Sequence, residues 1–389
     1  MAEWLNRDVL LISFSAFFAD LGYQAVQALF PIYLVLTLSS SSFYFGLANA
    51  LAFGGGALFA YIAGLLGVKY SRKWLAVLGS VFIILMSLVG LTMNPIIAIV
   101  LFSGGWWARN FRVPPRRAML ADAVQKKDLG KAFGFLHALD IGGGALAVVA
   151  LLALISMKFS QNVVLLVTAM PITVSVFLLI VTRDIRRRRR VLPFPAKQTK
   201  SFTIEKGAFR GVIIATALYG FAYYSLGFPI LTIAEGSNNS ALGIASYAVY
   251  LGISAITGYY IGSRKGLNKV KALGYLGYIL TGIGTALLAT GYLLGSNIWI
   301  LYLGVALMGF GLGVVETLEP SIISLVRRAA KLDIGMGSLQ GARSVGLFSA
   351  NLIMGILYVA SPAYSYAYAT AISIAAGVVM LSMGKGFKD

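Results

Sequence analysis

The chain has 389 residues, of which 59% are hydrophobic and only 12% are charged, whereas soluble domains carry about 25% charged residues. Composition therefore excludes a soluble enzyme, a nucleic-acid-binding protein and a disordered chain, because no water-soluble fold of this size could bury so much apolar surface. The sequence contains no cysteine and one histidine, His137. Thiolate chemistry is excluded, and histidine-based metal catalysis is not expected.

Long apolar segments recur along the whole chain, and a membrane-spanning helix needs about 20 predominantly apolar residues. The first segment is too long to be a cleaved signal peptide. The sequence predicts an all-α membrane protein with twelve transmembrane helices in two pseudo-symmetric bundles: an N-terminal bundle over 1–182, a basic linker over 183–210 and a C-terminal bundle over 211–389. The predicted spans are 9–38, 43–67, 74–93, 96–123, 131–155, 162–182, 211–234, 241–263, 272–295, 298–326, 334–360 and 363–383.

Lysine and arginine are distributed unequally between the two sides of the membrane. With twelve spans both termini share one side, and 26 of the 32 basic residues fall there, against Lys158 alone on the other. This asymmetry predicts a multi-pass protein of the cytoplasmic membrane with both termini in the cytoplasm. It accounts for the net charge of +19 without nucleic acid. The arginine run 186–190 is interpreted as a topology determinant, with binding to anionic lipid headgroups as the alternative.

The two halves of the sequence repeat weakly at an offset of about 200 residues. Residues 30–32 and 228–230 both read Phe-Pro-Ile, and the glycine-led segment 134–140 aligns with 337–343. Two six-helix halves of the same orientation are typical of secondary transporters, which rock around a site at mid-membrane. A channel is the alternative, but no re-entrant, filter-like segment is visible.

Specific motifs carry a family resemblance over essentially the whole chain. Segment 112–124 reads Arg-Val-Pro-Pro-Arg-Arg-Ala-Met-Leu-Ala-Asp-Ala-Val. It is similar to the Arg-x-x-Pro-Arg-Asp-Ala-Leu-Ile-Ala-Asp-Ser-Val segment of a prokaryotic, exporter-like branch of the major facilitator superfamily. Segments 131–140 and 316–319 resemble that branch's helix 5 and its helix 10 Glu-x-x-Glu. The resemblance implies alternating access, export, and a central cavity lined by helices 1, 4, 7 and 10.

Three departures from the family pattern concern gating and coupling. Val68 stands where the loop between helices 2 and 3 usually has an aspartate, Ala147-Val148 replaces a common Gly-Pro, and Gln24 replaces a frequent glutamate. We expect the contact that latches the two halves together to be altered. These departures also weaken the case for proton antiport. The gating-loop residues that match the family are Lys69, Arg72 and Lys73.

Charged residues within the predicted spans are functional candidates, because a charge at mid-bilayer costs roughly 2.5 to 3.5 kcal/mol on insertion scales. Arg109, Arg112 and Arg116 follow an i, i+3, i+7 spacing that places them on one helical stripe. We expect the stripe to be bent where Pro114-Pro115 interrupts the helix. Candidates for proton or cation coupling are Asp20, Asp140, Glu316, Glu319 and His137.

Two interpretations of these charges remain open. In the structural one, each half makes its own buried ion pair: a helix 4 arginine with Asp140, and Glu316 or Glu319 with Arg343. In the functional one, a carboxylate alternates between apolar and arginine-paired surroundings and so loads and releases a proton. Asp20 is the first candidate, because its own helix segment contains no neighbouring base.

The lone histidine also admits two interpretations. His137 precedes Asp140 by one helical turn, so the two could relay protons near neutral pH. A histidine that only packs is the alternative.

By the resemblance, a set of polar and aromatic side chains lines the cavity: Gln24, Gln27, Arg109, Arg112, Tyr219, Tyr223, Tyr224 and Arg343. An aromatic wall with carboxylates suits an organic cation, whereas the arginine stripe suits an anion. The charge of the substrate stays open.

No nucleotide-binding or catalytic motif is present. Residues 309–313 read Gly-Phe-Gly-Leu-Gly inside an apolar span with no preceding strand, and no P-loop occurs. We expect a transporter that needs no cofactor: a monomer that moves a small-molecule substrate, is coupled to protons and works by export. The alternatives are a uniporter, an anion-uptake facilitator and a transport-inactive membrane sensor.

Overall fold

A computed structural model describes residues 4–125, 128–184, 206–222, 225–264, 266–326 and 332–383. Throughout these ranges every regular element is helical, which confirms the predicted all-α class. We number the twelve spanning units α1–α12. Those of the first half are α1 (Arg7–Ile32, continued by a π-helical turn Tyr33–Thr37), α2 (Ser42–Lys69), α3 (Arg72–Ile83 with a 3₁₀ segment Ile84–Leu91), α4 (Pro95–Ala123), α5 (Leu129–Ser156) and α6 (Gln161–Val167 and Ala169–Val181).

The second half contains six further units. In both halves the ends of the units agree with the predicted spans to within a few residues. They are α7 (Lys206–Ala222 and Gly227–Ser237), α8 (Ser240–Ser263), α9 (Lys269–Ala272, a π-helical segment Leu273–Ile279, and Leu280–Leu293), α10 (Ile298–Val326), α11 (Leu332–Ala360) and α12 (Pro362–Met383). Most of the predicted linker, 185–205, lies outside the described residues.

The helix starts follow from short polar side chains that accept bonds from otherwise unpaired backbone amides. Asn6 caps α1, Ser41 caps α2, and Asn94 caps α4 immediately before Pro95. Asn239 and Asn268 do the same for α8 and α9. These caps mark where the chain leaves the polar loops and enters the bilayer.

Eleven of the described helices are long and apolar enough to cross a membrane. The twelfth unit, α4, is not among them, because its second half carries Arg109, Arg112, Arg116 and Arg117. Its neighbours α2 and α3 pack along it, and its Arg112 and Arg116 side chains are buried inside the bundle.

The two halves repeat the same packing. In the first half α1 packs against α5 and α6, and α4 packs against α2 and α3. In the second half α7 packs against α11 and α12, and α10 packs against α8 and α9. The weak repeat in the sequence therefore corresponds to two bundles of equivalent topology, as predicted.

The two bundles meet at one end of the molecule. We call the end that holds Arg7, Lys69 and Lys269 the basic end, and the other the opposite end. At the opposite end one hydrophobic cluster runs through both halves, with Phe45 of α2 packed edge-on against Phe228 of α7 at 5.0 Å between ring centroids. At the basic end the buried apolar residues form two separate clusters, one in each half. The structure is closed at the opposite end.

The closed end depends on very close helix approach. A Cβ built on Gly46 of α2 would lie 2.6 Å from both the Asn351 carbonyl oxygen and the Gly355 Cα of α11. Only glycine permits this distance between backbones. A hydrogen bond also crosses the halves, from the Tyr247 hydroxyl of α8 to Gln24 Oε1 of α1, at 2.7 Å.

α7 differs from the single helix predicted over 211–234. It ends at Ala222 and begins again at Gly227, and Pro229 lies in the first turn of the new segment, where a missing N–H is tolerated. Asn351 of α11 accepts a hydrogen bond from the Ser225 amide at 2.9 Å. The neighbouring helix thus satisfies a backbone donor that the break exposes.

Candidate functional site

The arginine stripe of α4 points into the first bundle, but the predicted interruption is wrong. α4 is helical from Pro95 to Ala123, with Pro114 and Pro115 inside it. Prolines are tolerated in such helices because neighbouring helices can satisfy the freed backbone groups. Arg112 and Arg116 are buried, Arg109 is partly exposed, and Arg117, off the stripe, is exposed.

Two of the stripe arginines face carboxylates. Arg116 makes a two-pronged pair with Asp140 of α5, with Nη1–Oδ1 and Nη2–Oδ2 distances of 3.4 and 3.3 Å. Arg112 Nη2 lies 3.9 Å from Asp20 Oδ1 of α1, and its Nη1 donates to Ser175 Oγ of α6 at 3.2 Å. The helix 4 arginine that the sequence assigned to Asp140 is therefore Arg116.

Arg109 is held differently. Its Nε and Nη2 both donate to the Tyr23 hydroxyl of α1 at 3.3 Å. The guanidinium carbon lies 5.3 Å from the ring centroids of both Tyr23 and Trp106. Among the described residues no carboxylate oxygen lies within 4.0 Å of its guanidinium nitrogens.

The second bundle contains the complementary cluster. Arg343 of α11 donates from Nη2 to Glu316 Oε1 of α10 at 2.7 Å, and its Nη1 lies 3.9 Å from Glu319 Oε2. The Glu316 side chain is 52% exposed, whereas Glu319 is fully buried. The Arg343 guanidinium thus lies between two carboxylates, whereas the sequence predicted that it pairs with either Glu316 or Glu319.

Glu319 has a polar environment that the sequence analysis missed. The Tyr278 hydroxyl of α9 donates to Glu319 Oε1 at 2.7 Å, and Thr216 of α7 lies 3.2 Å from the same hydroxyl. Tyr219 of α7 stacks on the Tyr278 ring at 4.6 Å. A lone tyrosine in an apolar span has no distinguishing signal in the sequence, so the sequence could not have indicated this contact.

The remaining predicted cavity residues are scattered. Gln24 is engaged by Tyr247 across the closed end, and Gln27 is partly exposed. Tyr219 is buried in the second bundle. Tyr223 and Tyr224 lie outside the described residues.

His137 does not join the charged cluster. Its side chain is exposed, and no hydrogen bond joins it to Asp140 in the described part of the chain. The structure therefore places it in neither of the two arrangements expected from the sequence, a relay pair or a packed side chain.

The predicted gating loop forms contacts within the first half. Arg72 pairs with Asp122 of α4, and Ser71 donates to Asp184 at 2.8 Å. Lys73 lies 5.3 Å from the centroid of the Trp74 ring, and Lys69 is exposed. Arg72 thus finds a carboxylate on α4, although Val68 leaves the usual loop position without one.

Summed over these groups, the charges of the two clusters are opposite. The α4 cluster has three guanidiniums and two carboxylates, Asp20 and Asp140. The α10 cluster has two carboxylates, Glu316 and Glu319, and one guanidinium. The α4 cluster therefore carries one positive charge in excess and the α10 cluster one negative charge in excess when all these groups are ionised.

Twelve helices in two equivalent bundles, with compensating charges at mid-span, define a multi-pass membrane transporter. Residues 12–294 match the family model of the Major Facilitator Superfamily, and the chain belongs to that family. This confirms the resemblance found in the sequence and identifies the protein as a transporter and not an enzyme.

Known proteins agree with this assignment. An uncharacterized MFS-type transporter of Methanocaldococcus jannaschii is 23% identical, with 97% of this chain and 95% of that protein covered. Among crystal structures, a D-xylose–proton symporter matches with a TM-score of 0.73 at 12% identity, over all of both chains. The nucleoside transporter NupG matches with a TM-score of 0.72 at 14% identity, over 99% of this chain and 100% of that one. These structures establish the fold alone.

Proposed function

We propose that this protein is a proton-coupled secondary transporter of the cytoplasmic membrane that moves a small solute by alternating access. The basic end faces the cytoplasm, because lysine and arginine concentrate on the cytoplasmic side of membrane proteins. In this orientation the described conformation is closed to the outside. The bundles over 1–182 and 211–389 rock against each other as a monomer, and the basic linker 183–210 acts as a topology determinant, with binding to anionic lipid headgroups as the alternative.

The observation that carries the proton assignment is the sharing of Arg343 by two carboxylates. Arg343 hydrogen-bonds to Glu316, and its approach to Glu319, at 3.9 Å, is too long for a hydrogen bond. Glu319 is sealed from solvent, and its Oε2 has no hydrogen-bond partner among the described groups. A carboxylate in this position is costly when ionised.

The cluster therefore has two favourable states. In one, Glu319 carries a proton and Arg343 stays with Glu316. In the other, Glu319 is ionised and Arg343 moves toward it, releasing Glu316. The groups that face Glu319 are Tyr278 from α9, Glu316 from α10 and Arg343 from α11. Since α11 packs along α2 of the other half, movement of Arg343 would couple protonation to rocking of the bundles.

The direction of transport follows from which ligands bind together. Export by proton exchange, which the family resemblance implies, requires solute and proton to displace each other. The two charge clusters lie in different bundles. This separation supports simultaneous binding of solute and proton, as in cotransport, in place of exchange. The absence of the Gly-Pro at 147–148 and of a glutamate at Gln24 supports the same conclusion.

The test uses purified protein in liposomes with an imposed pH gradient and a trapped pH dye. Lipophilic cations, organic anions, sugars and divalent metals are added in turn. We expect one solute class to move protons in the native protein, and Glu319→Gln, which imitates the protonated acid, to abolish proton movement while solute still crosses. Glu235→Gln, at an exposed carboxylate near the opposite end, is the matched control. Solute flux without proton movement in the native protein would identify a uniporter, and no flux at all would favour a sensor.

A further inference from the structure

The substrate class can be inferred from Arg109, and the inference rests on the proposed function. We propose that Arg109 binds the anionic group of the substrate, and that the substrate is an organic monoanion carried together with a proton. Every other guanidinium of the two clusters has a carboxylate within 4.0 Å, whereas Arg109 has the neutral Tyr23 hydroxyl. Buried charges in proteins are normally paired.

The position of Arg109 favours a ligand from the space between the bundles. It lies midway along α4 and is partly exposed. A partly exposed guanidinium at this depth is too costly to face lipid, so we infer that its open side faces the space between the two bundles, here called the gap. Glu316, exposed on α10, is expected to face the same gap for the same reason.

The geometry of the guanidinium leaves one edge for a ligand. The Nε and Nη2 edge is turned to Tyr23, at 3.3 Å for both atoms. The Nη1 and Nη2 edge has no carboxylate, and it is the edge that binds a carboxylate or another oxyanion through two parallel hydrogen bonds. Aromatic rings form the walls beside it. Tyr23 meets Trp106 edge-on at 6.0 Å, and Phe53 meets Trp106 at 5.2 Å, which suits an anion with an apolar body.

Charge balance then connects the substrate to the proton. A monoanion at Arg109 neutralises the excess positive charge of the α4 cluster, and a proton on Glu319 neutralises the excess negative charge of the α10 cluster. The doubly loaded protein carries no unbalanced charge at mid-span, whereas either ligand alone leaves one. Closing the gap around an unbalanced charge is costly. The loaded protein therefore closes readily, and transport is electroneutral cotransport.

The binding test uses the full-length chain in detergent and reads its thermal unfolding. The probes are straight-chain carboxylates from acetate to octanoate, benzoate and benzenesulfonate, each beside its neutral amide and the amine of the same skeleton. We expect at least one anion to raise the unfolding temperature, and its amide and amine to leave it unchanged. Arg109→Gln should weaken this binding roughly 10- to 100-fold, as expected for a charged hydrogen-bonded pair.

The controls separate binding from folding. Arg109→Gln leaves no carboxylate without its partner, so we expect it to fold. Arg117→Gln, at an exposed arginine of the same helix, should bind like the native protein. The proposal is overturned if no anion binds, if amides or amines bind equally well, or if Arg109→Gln binds the anion with native affinity.

A transport test separates this proposal from the proton assignment. Benzenesulfonate is the probe, because it does not cross lipid by picking up a proton. In liposomes we expect its inward movement to acidify the interior and to keep the same rate when a potassium–valinomycin potential is applied. Alkalinisation would indicate exchange and overturn cotransport. Benzenesulfonate transport that depends on Arg109, without any proton movement, would leave the anion site standing and refute the proposed proton coupling.

Discussion

A methyl group added at Gly46 should shift the protein away from the conformation that is closed at the opposite end. The new Cβ would lie 2.6 Å from Asn351 O and Gly355 Cα, and ordinary contact begins at 3.4 Å. Both contacts are backbone atoms of α11, so no side chain can rotate away. The helices must separate, which costs about 1–3 kcal/mol in a well-packed interface. Each 1.4 kcal/mol changes an equilibrium constant about tenfold. The closed population should therefore fall roughly 5- to 150-fold relative to the alternative state.

The measurement is a spin-label distance between the two halves at the opposite end. The chain has no cysteine, so cysteines introduced at the exposed positions Lys158 and Leu294 are the only labelling sites. Gly46→Ala should lengthen the main distance or add a longer component. Gly64→Ala is the matched control on the same helix, because its Cβ meets no atom within 4 Å. Identical distance distributions for native protein and Gly46→Ala would refute the reasoning.

Three further substitutions test other contacts. Asp140→Asn should lower the free energy of unfolding by about 2–3 kcal/mol, somewhat below the range for fully buried pairs. Adding Arg116→Gln should recover part of this loss. An Asp140→Asn variant as stable as the native protein would contradict the ion pair. Tyr247→Phe removes the hydrogen bond to Gln24, worth about 0.5–1.5 kcal/mol, so the closed population in the same distance measurement should fall roughly two- to tenfold, and no change would show that the bond does not hold the halves. Asn351→Ala leaves the amide in the α7 break without its acceptor and should cost about 1–3 kcal/mol in thermal unfolding; an unchanged unfolding temperature would show that another group satisfies that amide.

Hydropathy and charge predicted the helices well, because length and apolar content identify eleven of the twelve spans. The ion pairs were also within reach, since a charge inside a span needs a partner and the repeat indicated which helices carry it. Arg343 with the α10 glutamates follows that rule. The choice of Arg116 over Arg112 for Asp140 depends on helix rotation and depth, which spacing does not fix.

Contacts between bundles were not predictable in the same way. The Gln24–Tyr247 bond joins positions 223 residues apart, and it depends on which end of the molecule is closed. Pro114 and Pro115 predicted an interruption, but α4 is helical through both. The break in α7 occurs where Asn351 of α11 supplies an acceptor. A local sequence pattern carries no information about such a neighbouring helix.

The polarity of α4 has a consequence for how the chain is made. Its three stripe arginines together oppose partition into lipid by roughly 8–10 kcal/mol on insertion scales, and this helix alone fails the length and hydropathy test that the other eleven pass. The segment is therefore a poor substrate for autonomous release from the translocon into lipid. Asp20 has already been synthesised when α4 emerges, but Asp140 has not. Release of α4 must wait for α5, which makes membrane integration of the first bundle a cooperative, multi-helix event.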